Sequence, residues 1–236
     1  MKTRHLGGRV AAEEAGVFKD AWLVASKDLR IERRSRVLTN QLLPFTLVIL
    51  IIFAFTFDTH PNLLVTLSPG LFWVASLFAM TIALQRSFSL EAENQARDGL
   101  LLYGLESAGI FLGKVVAIVI QSAIVELFIG FGIVILYAAP LHEVVFLALS
   151  AFTATLGISC VGVVFGAMVT GRSRDSLLPL LIFPVVAPVL LSATKAWEDY
   201  VRGKVSLGDP WLGLLVVFAI AFGAVGVLTF GSILEE

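Results

Sequence analysis

Long apolar stretches alternate with short polar segments along most of this chain. Each stretch approaches the ~20 residues that an α-helix needs to cross ~30 Å of hydrocarbon. The pattern predicts an all-α polytopic membrane protein with six transmembrane helices, at residues 41–57, 67–84, 110–137, 144–169, 177–196 and 211–231. Because the connections are short, we expect one transmembrane domain over residues 41–236, preceded by a polar tail over 1–16 and an amphipathic helix over 17–40.

The fifth apolar stretch contains Pro179, Pro184 and Pro188. Proline lacks a backbone N–H and clashes with the preceding turn, so it kinks or breaks a helix. We therefore expect the fifth helix to be kinked or broken near its outer side.

The composition is typical of a bilayer protein. The 236 residues are 58% hydrophobic and 15% charged, with a mean hydropathy of +0.92, whereas soluble domains are ~45–50% apolar and ~25% charged. The formal net charge of -1 gives no indication of a nucleic-acid partner. The single cysteine, Cys160, lies in an apolar stretch, and we expect a buried side chain there.

The basic residues are distributed unevenly along the chain. Fourteen of the seventeen Lys and Arg residues fall on one side of the predicted helices, and only Lys195, Arg202 and Lys204 fall on the other. Because Lys and Arg concentrate in cytoplasmic loops, both termini are predicted to be cytoplasmic. A cleaved signal peptide is not expected, since the first apolar stretch begins after about forty residues.

The segment before the first apolar stretch has helical periodicity. Apolar residues recur at helical spacing, and basic residues occupy much of the remaining circumference. This pattern favours a helix on the inner membrane surface, with Trp22 at the headgroup level and Arg30, Arg33 and Arg34 near anionic lipid. The alternative is an ordinary basic flank that happens to be helical. The apolar residues of this face are Phe18, Ala21, Trp22, Ala25 and Leu29.

A polar island separates the second and third apolar stretches, at residues 86–103. As a helix over about 86–104, it would carry an apolar ridge beside acidic residues, with Glu93 and Arg97 at a favourable i,i+4 spacing. This arrangement indicates a cytoplasmic helix that binds a partner and transmits its movement, and a solvated connector is the alternative. The predicted contact residues are Arg86, Glu91, Glu93, Arg97, Asp98, Gly99, Leu100 and Leu101.

Gln121 and Glu126 are polar residues within the third stretch. A carboxyl group at membrane depth is costly unless it is neutral, paired or wet, so Glu126 is a candidate for a proton or substrate role. The alternatives are a polar neighbour in a complex, or a tilted helix that brings Glu126 towards the outer interface.

Two glycine pairs permit close helix packing, Gly109 with Gly113 and Gly162 with Gly166. Such pairs serve packing within one subunit or a seam with a second copy of the chain.

Two histidines, His60 and His142, fall in predicted outer loops. Imidazole is a common iron ligand, but no spacing motif accompanies them. We therefore expect ordinary loop histidines, no metal site and no directly bound cofactor.

Several of these segments together resemble one protein family. The best match runs through residues 68–77 (Ser-Pro-Gly-Leu-Phe-Trp-Val-Ala-Ser-Leu) and 83–88, then Glu91, Glu93 and residues 99–102, and closes with Leu112-Gly113-Lys114. A second block covers residues 171–174, 177–184 and Pro188. Over residues 21–230 the chain resembles the CcmB haem-exporter permeases, the membrane subunits of the ATP-binding-cassette system for cytochrome c maturation. It departs from their pattern at residues 94–95, 97–98 and 103–104.

The resemblance implies a permease subunit rather than an enzyme, in the inner membrane, with haem as the cargo of the complex. It also implies four partners: an ABC ATPase subunit, a haem-handling membrane protein, a small single-span membrane subunit and a haem chaperone that ATP hydrolysis releases. The chain lacks the Gly-x-x-x-x-Gly-Lys-Ser/Thr phosphate loop, so another chain must hydrolyse the ATP.

Three alternatives to this function stay open from the residues. The chain is also compatible with an exporter permease for another amphiphile, a lipid or a drug, and with a non-transporting scaffold of a haem-delivery complex. An intramembrane enzyme is disfavoured, because there is no His-Glu-x-x-His motif.

Overall fold

A computed structural model of the protein describes residues 4–36, 38–57, 59–93, 105–139, 141–169, 178–204, 206 and 208–235. The described residues form seven α-helices and no strand. A short π-helix, Leu38–Leu42, precedes the second of them. The helices are α1 (Arg4–Ser35), α2 (Leu43–Thr56), α3 (Pro61–Glu93), α4 (Ser107–Leu136), α5 (Val144–Val169), α6 (Leu178–Val201) and α7 (Pro210–Glu235).

Among the described residues, five helices, α3 to α7, are long and apolar enough to cross a membrane. In contrast, α2 has 14 residues, which is about 21 Å at 1.5 Å per residue and less than the hydrocarbon thickness. In the part of the chain that the structure describes, a sixth span arises only if Gly16–Ser35 and Asn40–Thr56, which meet at a bend of 52°, are counted as one span. The predicted first transmembrane helix is therefore helical but is shorter than a full span.

The helices α3 to α6 run in alternating directions. Near the end of α3, Phe88 lies close to Lys114 near the start of α4. At the opposite end of the bundle, Trp197 of α6 contacts Trp73 of α3 and Ser150 of α5. We name the two ends of the bundle by these residues, the Lys114 end and the Trp197 end.

The fifth predicted transmembrane helix is continuous in the structure. Pro184 and Pro188 lie inside α6, which runs from Leu178 to Val201, and the Ser192 hydroxyl donates to the Pro188 carbonyl over 2.7 Å. Pro179 occupies the first turn, where a missing N–H costs little. The predicted break is absent, and the prolines lie in the half of α6 away from the Trp197 end.

Helix α1 packs lengthwise on α4. Its small residues Ala21, Val24 and Ala25 are buried, and they meet α4 where that helix has glycine. A Cβ on Gly113 would lie 2.5 Å from the carbonyl oxygen of Ala21 and 2.7 Å from the Cβ of Val24. Glycine at this position therefore allows the two backbones to come close.

Replacing Gly113 with valine should separate α1 from α4, because overpacking a close contact costs about 1–3 kcal/mol. We expect the thermal unfolding midpoint of the detergent-purified protein, followed by tryptophan fluorescence, to fall by several degrees. Gly213→Val is the matched control, since a Cβ on Gly213 of α7 meets nothing within 4 Å. Equal midpoints for the two variants would contradict the close approach.

Candidate functional site

A buried ion pair lies at the Lys114 end. The Nζ of Lys114 in α4 lies 3.6 Å from Oδ2 of Asp28 in α1, and their side chains are 3% and 8% exposed. Asp28 also pairs with Lys27, whose Nζ lies 3.2 Å from Oδ1. A buried charge is tolerated when it is paired, so this ion pair fixes α1 against α4.

The ring of Phe88 lies beside the same lysine. The Nζ of Lys114 is 4.6 Å from the centroid of the Phe88 ring, within the range of a cation–π interaction. Phe88 is 6% exposed and contacts the backbone of α5 at Gly166, where any Cβ would collide with the ring. Four helices, α1, α3, α4 and α5, therefore meet at one cluster, the Phe88–Lys114–Asp28 junction.

The same packing is repeated one turn away. Leu84 of α3 fills the space left by Gly162 of α5, as Phe88 does at Gly166. Gly109 and Gly113 of α4 contact α1. Both glycine pairs thus serve packing within the subunit. This is the first of the two roles that the sequence left open for them, the other being a seam with a second copy of the chain.

The predicted coupling residues are only partly described. Arg86 is half-buried, and its buried Nε has no acceptor among the residues described. Glu91 and Glu93 belong to the last turns of α3, but their side chains lie outside the described part. Residues Arg97, Asp98, Gly99, Leu100 and Leu101 lie outside it entirely.

Two described segments border residues 94–104 of the polar island, and we call them its flanks. The first flank is the end of α3, held through Phe88. The second flank begins at Glu106, whose backbone N–H donates to Oδ2 of Asp20 in α1 over 3.1 Å. Asp20 thus accepts one of the unpaired N–H groups at the start of α4.

The predicted interfacial face of α1 divides into two parts. Ala21 and Ala25 pack against α4, whereas Phe18 and Trp22 are 71% and 66% exposed. The basic side chains of Arg30, Arg33 and Arg34 are also exposed.

Glu126 is buried between helices. It is 8% exposed, and the hydroxyl of Thr155 in α5 donates to its Oε1 over 2.6 Å. Gln121 on the same helix is buried as well. The structure thus gives Glu126 a polar neighbour within the same chain.

Aromatic residues dominate the Trp197 end. The Trp197 indole N–H donates to the Ser150 hydroxyl over 2.8 Å, and its ring lies 4.2 Å from that of Phe72. The ring of His142 stacks on Tyr200 at 4.3 Å, and its backbone N–H donates to the Tyr200 hydroxyl over 2.6 Å. His142 is therefore engaged with α6.

The other loop histidine has a local neighbour. Nδ1 of His60 lies 2.8 Å from the hydroxyl of Thr59. Among the described residues, no three His, Cys, Asp or Glu side chains gather as metal ligands would. Cys160 is buried, as expected from the apolar stretch around it.

Sequence reasoning missed Asp28, although a signal was present. Ala21, Val24, Ala25 and Asp28 follow the spacing of one helical stripe. A carboxylate on an otherwise apolar stripe indicates a buried cation nearby. Only the fold identifies that cation as Lys114, because the two residues are far apart in sequence.

Long apolar helices that pack side by side around buried polar contacts define a polytopic α-helical membrane protein. The profile of the CcmB protein family matches residues 19–234. The chain belongs to the CcmB family, as its resemblance predicted.

Several relatives carry the name "Heme exporter protein B". The one from Pseudomonas aeruginosa is 31% identical over 200 residues, which cover 84% of this chain and 89% of the relative. The one from Haemophilus influenzae is 27% identical over 217 residues, covering 88% and 92%. The Escherichia coli K12 protein is 27% identical over 179 residues, covering 75% and 81%.

Replacing Thr155 with valine should leave the Glu126 carboxyl without its donor. A buried polar group that loses its partner costs about 1–3 kcal/mol, so we expect a lower thermal midpoint in detergent. Thr155→Ser keeps the hydroxyl and is the matched control. A valine variant as stable as the serine variant would show that this hydrogen bond contributes nothing.

Proposed function

We propose that the chain is the membrane permease subunit of an ABC transporter complex that exports or delivers haem for cytochrome c maturation. The observation that carries the proposal is family membership over residues 19–234, together with relatives named "Heme exporter protein B". Haem is then the cargo of the complex rather than a resident cofactor.

The complex needs a separate ATPase subunit. The chain has no phosphate-binding loop of the Gly-x-x-x-x-Gly-Lys-Ser/Thr type, so we assign ATP hydrolysis to a partner. The binding surface on this chain is the polar island at residues 86–104. Its acidic residues and apolar ridge bind the ATPase, and the end of α3 and the start of α4 receive the resulting movement.

The proposed topology places the Lys114 end in the cytoplasm of an inner-membrane protein. Basic residues of α1 and the basic residues Arg86 and Lys114 support this orientation, and both termini are then cytoplasmic. Helix α1 lies at the inner interface, where the exposed Phe18 and Trp22 contact lipid and the basic side chains of Arg30, Arg33 and Arg34 contact headgroups.

The remaining partners belong to the same pathway. We propose that a haem-handling membrane protein and a small single-span subunit complete the complex. Each round of ATP hydrolysis then releases a haem-loaded chaperone at the Trp197 end. We assign Glu126 to a polar contact between α4 and α5 that keeps these helices in register.

The coupling surface is testable by charge reversal. Changing Glu91, Glu93 and Asp98 together to lysine should reduce the co-purified ATPase about tenfold or more, because like charges across an interface cost several kcal/mol. The protein should still accumulate in the membrane. The control is Glu143→Lys, an exposed acidic residue outside the island. Normal association and normal cytochrome c assembly in the triple variant would refute the coupling surface.

The transport function is testable with an inactive ATPase. In a strain that lacks its own copy, the chain should restore mature cytochrome c only when the partner ATPase is active, and the haem-stained yield measures this. Mature cytochrome c with an ATPase that cannot hydrolyse ATP would favour a scaffold. No restoration with an active ATPase would favour an exporter of another amphiphile.

A further inference from the structure

The contacts around Lys114 join both flanks of the polar island. Phe88 lies on the first flank, in the last turns of α3, and Lys114 lies on the helix after the island, with the ammonium 4.6 Å from the Phe88 ring. Asp28 of α1 pairs with the same ammonium, and Asp20 of α1 accepts from the backbone of Glu106. Helix α1 therefore contacts the second flank at two points, and it reaches the first through Lys114.

The two flanks also end at similar levels along the bundle. From Phe88 to Glu93, α3 extends about 7 to 8 Å at 1.5 Å per residue, and from Lys114 back to Ser107, α4 extends about 10 to 11 Å. Because the helices run in opposite directions, the two described flanks end within a few ångströms of one level. A displacement of the island therefore acts on both helices at the junction.

Helix α5 is the last of the four helices at the junction, and its glycines contact α3. The Phe88 ring lies directly on Gly166 and the side chain of Leu84 lies on Gly162, so α3 cannot slide along α5 without moving these side chains. Packed interiors have few voids and change between discrete arrangements rather than deforming continuously. The end of α3 and the end of α5 are thus held together.

From these contacts we infer that Phe88 and Lys114 are the positioning residues through which the island moves α1, α4 and α5 as one unit. The inference rests on the proposed function, because it needs an ATPase bound at the island. Asp28 completes the unit by holding the ammonium in place. Helix α1 is then part of the coupling machinery as well as a membrane anchor.

The test compares variants that each remove one interaction of the junction and leave an apolar side chain in its place. Phe88→Leu removes the ring, and Lys114→Met removes the charge. Each should lower the cytochrome c formed per ATP hydrolysed by about tenfold, within the range for residues that carry coupling between sites. The ATPase rate of the purified complex and the amount of co-purified ATPase should stay near wild type.

Matched controls and conservative variants separate coupling from stability. Phe131→Leu on α4 and Lys204→Met are the same substitutions at exposed positions, and both should leave the ratio unchanged. Phe88→Tyr keeps an aromatic ring and Lys114→Arg keeps a cation, so both should retain most of the cytochrome c formed per ATP hydrolysed. If Lys114→Met fails to accumulate in the membrane, Phe88→Leu decides the question.

Each outcome bears on the inference. Junction variants that match their controls overturn it, and so do variants in which ATPase rate and cytochrome c fall in proportion, since that is the result of a structural role. A wild-type chain that restores no cytochrome c overturns the proposed function, and the inference falls with it.

Discussion

Burial of the Lys114 ammonium is the constraint on which the Lys114 end depends. An unpaired ammonium in an apolar interior carries a large desolvation cost, and breaking a buried pair typically costs about 3–5 kcal/mol. Asp28 must therefore lie on the face of α1 that meets α4, and α1 must pack against α4 at the level of Lys114. The position of α1 is thus set by one carboxylate as much as by its apolar stripe.

The close approach of the α1 and α4 backbones allows Asp28 to reach Lys114. A side chain at Gly113 would occupy the space of Ala21 and Val24, and α1 would then lie farther from Lys114, which is the next residue along α4. A side chain at Gly166 would likewise displace Phe88 from the ammonium. The small residues and the charged residues of the junction therefore depend on one another, and neither set explains the packing alone.

Hydropathy predicted most of the helices well, because the length and apolarity of a span are local properties. The fourth predicted helix coincides with α5, Val144–Val169, and its neighbours differ by a few residues. Three features depended on neighbouring helices and were not predictable from the local sequence. They are the shortness of α2, the unbroken course of α6 past Pro184 and Pro188, and the face that α1 turns to α4. Asp28 was visible in the sequence, but its partner was not, since an ion pair between distant segments requires the fold.

For the polar island, family membership and local geometry support different conclusions. Relatives matched over most of their length support a shared function for the whole bundle, yet the island departs from the family pattern at residues 94–95 and 97–98. Its flanks lie outside these departures: Phe88 and Glu106 are held by contacts within the described structure. In the proposed mechanism, a partner that binds the island acts through those flanks whatever residues it touches. The proposed coupling mechanism therefore rests on the contacts where the island joins the bundle rather than on the contact surface itself.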